Sequence, residues 1–237
     1  MAAVAAMVVV CAGTDRVQAD GPDKLPNYLL FAGTDLWRYA LFLYGGMLWS
    51  PAGLNSSGFT LKLLLDGGNY TYKSGPGSDI GATLWSAAAL PGWRFWHDGL
   101  IVSLFAGPIA QDYRLVPNDP GSRLHGAYAG GQVAAEIWYQ PSPATMAALN
   151  GEITSIGPTG SVRAAAGVRI FDRAFVGPEV KDIWCCGAGS GYQELQLGLH
   201  VTALRIDTLE WSMAGGWGLD SDRRDGPYFR LGMNARY

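Results

Sequence analysis

The last nine residues of the chain, 229–237, alternate apolar and polar side chains without a break and end on an aromatic residue. Successive side chains of an extended strand point to opposite faces, so Phe229, Leu231, Met233, Ala235 and Tyr237 share one face and the polar residues share the other. A transmembrane β-strand has this arrangement, with an apolar face toward lipid and a polar face toward the lumen. The ending therefore favours an outer-membrane β-barrel over a soluble β-sandwich.

The composition agrees with a membrane barrel. Charged residues make up 16% of the chain, which is below the roughly 25% of ordinary soluble domains. The 33 glycines allow strands to curve, and 9 Trp and 11 Tyr supply aromatic girdles for the membrane interfaces. No apolar run after residue 13 is long enough to span a bilayer as a helix, so we expect the chain to cross the membrane as strands.

The N-terminus has the features of a secretory signal. Residues 1–13 are apolar, and Val17-Gln18-Ala19 precedes Asp20 as a small-x-small cleavage site. We therefore predict a signal peptide over 1–19, a short periplasmic segment over 20–27 and an outer-membrane barrel over 28–237. Such a chain is expected in the outer membrane of a Gram-negative bacterium.

Strand-like runs predict an all-β fold, an antiparallel up-and-down transmembrane barrel of about 12 strands, with 10–12 possible. Short connections alternate with longer ones, as expected when both termini face the periplasm. Two connections depart from this alternation, because 50–58 is long and 38–40 is short. The predicted strands are 28–37, 41–49, 59–73, 80–90, 99–113, 124–139, 144–155, 161–171, 175–183, 192–206, 208–219 and 228–237.

Charged and polar side chains are predicted on the inward faces of these strands. We expect these charges to pair across the lumen and stiffen the barrel, because unpaired buried charges are costly. A conducting or ligand-selecting lumen is the alternative, since a barrel of this size can enclose a ligand or narrow channel. The predicted inward set is Lys62, Asp66, Arg163, Arg169, Glu194, His200, Arg230 and Arg236.

Two of the inward residues, His200 and Ser212, could be interpreted as part of a hydrolase site. A tight hairpin at Asp207 would place Thr202 opposite Ser212 and His200 diagonal to Ser212, with Glu194 or Glu210 nearby. Inward Ser, Thr and His are also ordinary lumen residues, so we predict no catalytic site. His97 lies among aromatic residues at a strand boundary, where interfacial anchoring is the simpler role.

Other chemistries have little support in the sequence. Adjacent Cys185 and Cys186 could form only a strained vicinal disulfide, and neither has the neighbours of a metal-ligand pattern. We read them as loop residues and predict no metal or cofactor site. The net charge of −3 and the absence of a basic run argue against a nucleic-acid partner.

Several local patterns, taken in order, resemble one family. They are 31–38, 45–51, 58–65, 176–180, 200–204, 210–212 and 220–228. In these stretches the chain resembles the cellulose biosynthesis protein BcsS family over about residues 28–237. The resemblance implies an accessory barrel of the apparatus that makes cellulose, a biofilm exopolysaccharide, and it brings no active-site residues.

Three functions of different classes follow. The first is a non-enzymatic outer-membrane accessory protein of cellulose biosynthesis or export, with outer-membrane lipids as partners and the glucan chain or other cellulose-synthesis components as further candidates. The second is a general small-solute pore, which requires an open lumen. The third is a barrel enzyme acting on lipid A or phospholipid, which requires His200 and Ser212 close together near the membrane rim.

Overall fold

The computed structural model describes residues 26–74, 77–122, 124–185 and 192–237. They form a closed barrel in which each strand pairs antiparallel with its sequence neighbours, so the predicted fold is confirmed. The predicted signal peptide over 1–19 lies outside the described residues. The strands are β1 (Tyr28–Trp37), β2 (Ala40–Trp49), β3 (Gly58–Lys73), β4 (Asp79–His97), β5 (Leu100–Val116), β6 (Gly126–Ser142), β7 (Thr145–Thr154), β8 (Thr159–Ile170), β9 (Ala174–Cys185), β10 (Tyr192–Ile206), β11 (Leu209–Asp220) and β12 (Asp225–Arg236).

The first and last strands close the barrel. β1 pairs with β12 from Leu29–Arg236 through to Trp37–Tyr228. Next to the Leu29–Arg236 pair, Tyr237 exchanges backbone hydrogen bonds of 2.9 Å with Tyr28 in both directions. Closure pairs every strand on both sides, as a strand structure inside a bilayer requires. Among the described residues there is no helix that is long and apolar enough to cross a membrane.

The barrel has two distinct ends. We call the end that holds Tyr28 and Arg236 the terminal rim; its turns are 50–57, 98–99, 143–144, 171–173 and 207–208. The opposite end is the far rim, with the connections 38–39, 155–158 and 221–224 and the described parts of 74–78 and 117–125. Both predicted exceptions are present, because 50–57 is the long connection at the terminal rim and 38–39 is the short one at the far rim.

The outer surface is apolar between two levels of aromatic residues. Phe59 and Trp93 are directly paired near the terminal rim, and Trp85 lies farther along β4 with 62% of its surface exposed. The eight residue steps from Trp85 to Trp93 cover about 27 Å along the tilted strand, which is of the same order as the roughly 25 Å apolar band of membrane barrels. Leucines such as Leu43, Leu65 and Leu199 are exposed on this surface, where water would not favour them.

Strand β4 is longer than predicted, because it continues past Pro91. The sequence prediction ended this strand at Leu90 before Pro91-Gly92, but β4 continues to His97. Pairing between β4 and β5 is interrupted from Ala88–Ile109 to Gly92–Phe105, where neither Pro91 nor Pro108 has an N–H to donate. The strand nevertheless continues, because β3 pairs with β4 without a break across this region.

Aromatic side chains explain many of the glycines. At six cross-strand pairs the ring of an aromatic residue covers the position that a Cβ atom on the opposite glycine would occupy. Such pairs let a large ring lie flat on the wall, and the ring protects a backbone that has no side chain of its own. The pairs are Phe31–Gly46, Tyr44–Gly33, Phe42–Gly68, Phe105–Gly92, Trp85–Gly67 and Trp184–Gly160.

Candidate functional site

Side chains fill the interior of the barrel along the wall formed by β2 to β6. Leu84 and Leu90 are fully buried there and belong to one large apolar cluster with Leu64, Phe105 and Ile109. Inward-facing residues of β3, β4 and β5 therefore pack as in a protein core instead of lining a water-filled channel.

Both ends of the lumen also receive side chains from the connections. At the terminal rim, Leu54 of the 50–57 turn is 3% exposed, and its carbonyl accepts a 2.7 Å hydrogen bond from Arg94 Nη1. Toward the far rim, the Tyr72 hydroxyl donates to Asp119 of the 117–125 connection at 2.9 Å. Each connection is thus tied to a strand inside the barrel.

A row of polar residues crosses the inner wall. Each member is the direct register partner of the next, on seven consecutive strands from β4 to β10. All are buried, so their polar atoms must find partners inside the barrel. The row is Arg94, Ser103, Glu136, Asn150, Arg163, Lys181 and Gln196.

Two ion pairs span the lumen between strands that are not neighbours. Lys62 Nζ on β3 lies 2.7 Å from Glu136 Oε1 on β6. Lys181 Nζ on β9 lies 2.8 Å from Asp35 Oδ2 on β1. Each pair skips at least two intervening strands, so it braces opposite parts of the wall.

Glu179 joins two arginines. Its side chain is fully buried, and Oε2 accepts a hydrogen bond from Arg163 Nε at 2.6 Å and another from Arg230 Nη2. The Tyr228 hydroxyl donates to Oε1 at 3.4 Å. A single carboxylate therefore holds β8, β9 and β12 together through charge-assisted hydrogen bonds.

The predicted inward charges are mostly confirmed as lumen residues. Lys62, Arg163 and Arg230 form the expected buried ion pairs, whereas Arg169 and Arg236 lie partly exposed near the terminal rim. The predicted pairing of Glu194 with a cation is wrong. Its carboxylate accepts hydrogen bonds from Gln196 Nε2 at 2.6 Å and from the Tyr192 hydroxyl at 2.9 Å. Neutral donors on the same strand satisfy this carboxylate without a charge from across the lumen.

Sequence reasoning missed the acidic and basic partners. Asp35, Glu136, Glu179 and Lys181 complete the ion pairs, yet none was among the predicted inward residues. The signal was present, because each lies in a predicted strand beside an outward apolar residue, namely Leu36, Ile137 or Val180. Applying the two-residue period to every strand would have placed all four inside.

His200 has a structural role in the wall. Its Nε2–H donates to the Ala166 carbonyl at 3.1 Å, and Nδ1 accepts from the Thr202 hydroxyl at 2.8 Å; these roles follow from the carbonyl being only an acceptor. Pairing between β8 and β9 is interrupted beside Ala166, where Pro178 has no N–H. His200 reaches across from β10 and supplies a hydrogen bond to β8 at this interruption.

The predicted diagonal register of His200 and Ser212 is present, but both ring nitrogens of His200 bond elsewhere. The hairpin turn at Asp207 is confirmed, and beyond a register shift near Ala203, which has a φ of +62°, His200 pairs with Ala214. Ser212 is the register partner of Gly232, whereas the hydrogen bonds described for His200 go to Thr202 and Ala166. Glu194 and Glu210 likewise bond to other residues.

His97 and the two adjacent cysteines are the remaining candidate residues. His97 ends β4 with an exposed side chain at the terminal rim, as predicted. Cys185 was predicted to lie in a loop but ends β9 with a buried side chain, its Sγ 3.6 Å from Thr159 Oγ1, and Cys186 lies outside the described residues. Within the described part of the chain, no three His, Cys, Asp or Glu residues are grouped to hold a metal ion.

A loop arginine closes part of the far rim. Arg224 Nε donates to Asp220 at 2.7 Å and Nη1 donates to the Thr71 carbonyl at 2.7 Å, while the guanidinium lies 4.6 Å from the Tyr39 ring centroid. Burial lowers the pKa of Arg224, but the hydrogen bond and charge of Asp220 outweigh it and leave the pKa raised. This permanently charged residue ties the β11–β12 turn to β3.

We expect replacement of His200 and Ser212 to have different effects. His200→Ala leaves the Ala166 carbonyl without this donor and should cost about 1–3 kcal/mol of stability, whereas Ser212→Ala should change the free energy of unfolding by less than about 0.5 kcal/mol. Urea titration of the folded barrel, followed by its heat-modifiable gel mobility, measures both. Equal destabilisation by the two substitutions would contradict the structural role of His200.

The fold and lumen define a class, an outer-membrane-type β-barrel with a side-chain-filled interior. The family model described as "Cellulose biosynthesis protein BcsS" matches residues 29–237, and the chain belongs to this family. The resemblance seen in the sequence is therefore confirmed, as is a role in cellulose biosynthesis. No curated protein matches the chain.

Solved barrels with similar folds share little sequence with this chain. The β-domain of the Bordetella autotransporter BrkA is 13% identical, covering 90% of this chain and 98% of its own, with a TM-score of 0.46. LpxR from Salmonella typhimurium is 9% identical over 89% of this chain and 100% of its own, with a TM-score of 0.48. The NalP translocator domain from Neisseria meningitidis is 11% identical over 91% and 90%, with a TM-score of 0.43.

Proposed function

We propose that this protein is a non-enzymatic accessory barrel of cellulose biosynthesis that resides in the outer membrane of a Gram-negative bacterium. The observation that carries the proposal is the filled lumen in a member of a cellulose-biosynthesis family. A barrel whose interior is a packed core acts through its outer surface, its rims or its connections. Outer-membrane lipids are its immediate partners, in keeping with the exposed leucines between two levels of aromatic residues.

The filled lumen argues against passage of glucan through the barrel and against glucan binding by aromatic residues inside it. A polysaccharide passing through the barrel would have to displace ion pairs such as Lys62–Glu136 and Lys181–Asp35, which cross its path. Aromatic residues of the lumen, including Tyr72 and Tyr113, are almost fully buried and offer no face to a sugar ring. We therefore propose that any contact with glucan or with other cellulose-synthesis components takes place at the rims.

A general solute pore is the weaker hypothesis for the same reason. Leu54 is buried at the terminal end of the lumen, and the apolar cluster around Leu84 and Leu90 occupies the interior along β2 to β6. The lipid-modifying enzyme hypothesis is also weak, because His200 bonds to the barrel wall and Ser212 is not among its partners. Non-enzymatic function remains our proposal on these grounds.

A strain that lacks the gene tests the proposal. We expect cellulose on the cell surface to fall, while synthase activity in isolated inner membranes persists, because the barrel acts at the outer membrane and not in polymerisation. The wild-type gene should restore surface cellulose, and Ser212→Ala should restore it equally. Unchanged surface cellulose in the deletion strain would contradict the accessory role, and failure of Ser212→Ala alone, with normal assembly, would support an enzyme.

A further inference from the structure

Three buried polar atoms without a protein partner occur close together in the barrel wall. They are Glu136 Oε2, Trp138 Nε1 and Asn150 Nδ2, and each residue is at most 5% exposed. Glu136 and Asn150 are direct register partners on β6 and β7, and Trp138 follows Glu136 on the same face of β6. A buried polar atom that lacks a hydrogen bond costs free energy, so three such atoms together point to a shared ligand.

The three residues line one interior cavity. Its volume is about 10 Å³, and Arg94, Ser103, Ile101 and Ile137 complete its lining. A cavity of about this volume accommodates a single water molecule and nothing larger. Size alone therefore restricts the ligand to one water or a small ion.

The chemistry of the lining decides between these ligands. The carboxylate of Glu136 needs a donor and would repel an anion. The indole N–H of Trp138 and the amide of Asn150 need an acceptor, and the guanidinium of Arg94 would repel a cation. Only a neutral molecule that both donates and accepts hydrogen bonds satisfies all three orphan atoms.

We infer that this cavity binds one ordered water molecule. The water accepts hydrogen bonds from Trp138 Nε1 and Asn150 Nδ2 and donates one to Glu136 Oε2, within the usual two to four partners of a buried water. It thereby connects β6 and β7 in the polar row and fixes the carboxylate whose other oxygen binds Lys62 across the lumen. The site is a structural part of the brace between β3 and β6.

An experimental structure at a resolution that reveals water tests the inference directly. We expect a density peak within about 3.2 Å of Glu136 Oε2, Trp138 Nε1 and Asn150 Nδ2. A cavity without such a peak would overturn the inference, whatever the behaviour of variants.

A pair of variants adds a test in solution. Asn150→Leu keeps the side-chain volume but removes a water ligand, so the midpoint of thermal unfolding should fall by several degrees. Tyr70→Phe is the matched control, since the buried hydroxyl of Tyr70 also lacks a partner but lies in the apolar cluster and does not line this cavity. Its midpoint should stay unchanged or rise. An Asn150→Leu protein at least as stable as the wild type would contradict the bound water.

Discussion

A Glu179→Gln variant is expected to lose about 3–5 kcal/mol of stability, because it removes a buried charge that compensates two buried arginines. The carboxylate is fully buried, and it bonds to Arg163 on β8 and Arg230 on β12. The substitution preserves shape but leaves two desolvated guanidiniums facing a neutral amide. The amount of heat-modifiable barrel in the outer membrane, and urea titration of the purified protein, measure the loss.

Asp79→Asn is the matched control for this prediction. Asp79 also pairs with a cation, Lys73 at 3.2 Å, but both side chains are largely exposed at the far rim. Exposed ion pairs contribute about 0–1 kcal/mol, so this variant should assemble and unfold much as the wild type does. If Glu179→Gln were as mild as Asp79→Asn, the ion-pair network would not be what stabilises the interior.

Gly33→Ala is expected to impair barrel closure by about 3 kcal/mol or more, because there is no space for a Cβ atom at this position. Gly33 lies on β1, where the Tyr44 ring and the Leu231 carbonyl of β12 occupy that space. The carbonyl belongs to the closing pair of strands and cannot turn away as a side chain can. Assembly assays should detect less folded barrel and more degradation of unassembled chain.

Gly45→Ala provides the comparison on the neighbouring strand. A Cβ atom there would meet Phe31 O at 3.6 Å and Ala32 Cβ at 3.9 Å, which are ordinary contacts. Because its backbone conformation suits an L-residue, the alanine should be tolerated and should slightly favour the folded state. Equal assembly of the Gly33→Ala and Gly45→Ala proteins would contradict the role of the ring-on-glycine pairs.

The alternation of apolar and polar residues was sufficient to predict the fold. A one-residue error would have turned every side chain of a strand to the wrong face, so the agreement of β3, β8, β10 and β12 with the predicted faces reflects a strong constraint. Strand ends were harder to predict. Pro91-Gly92 reads as a turn, but in a closed barrel the pairing on the other side of β4 carries the strand through.

The lumen contacts could be predicted only in part. Which residues point inward follows from the sequence, but which of them meet depends on strand tilt and on shifts that the pattern does not contain. His200 and Ser212 are diagonal to each other in the β10–β11 register, yet the His200 ring bonds to Thr202 and Ala166 instead. The bond from His200 to Ala166, two strands away, depends on a missing donor at Pro178 of the neighbouring strand β9, and no local pattern indicates it.

Conductance of the purified protein in planar lipid bilayers tests the central claim, that the barrel is closed by its own side chains. The filled lumen, with Lys62–Glu136 and Lys181–Asp35 braced across it, predicts no steady unitary conductance for the folded wild-type barrel. Reproducible unitary conductance steps, from protein whose heat-modifiable gel mobility shows that it is folded, would contradict the account. They would restore the pore as the leading hypothesis.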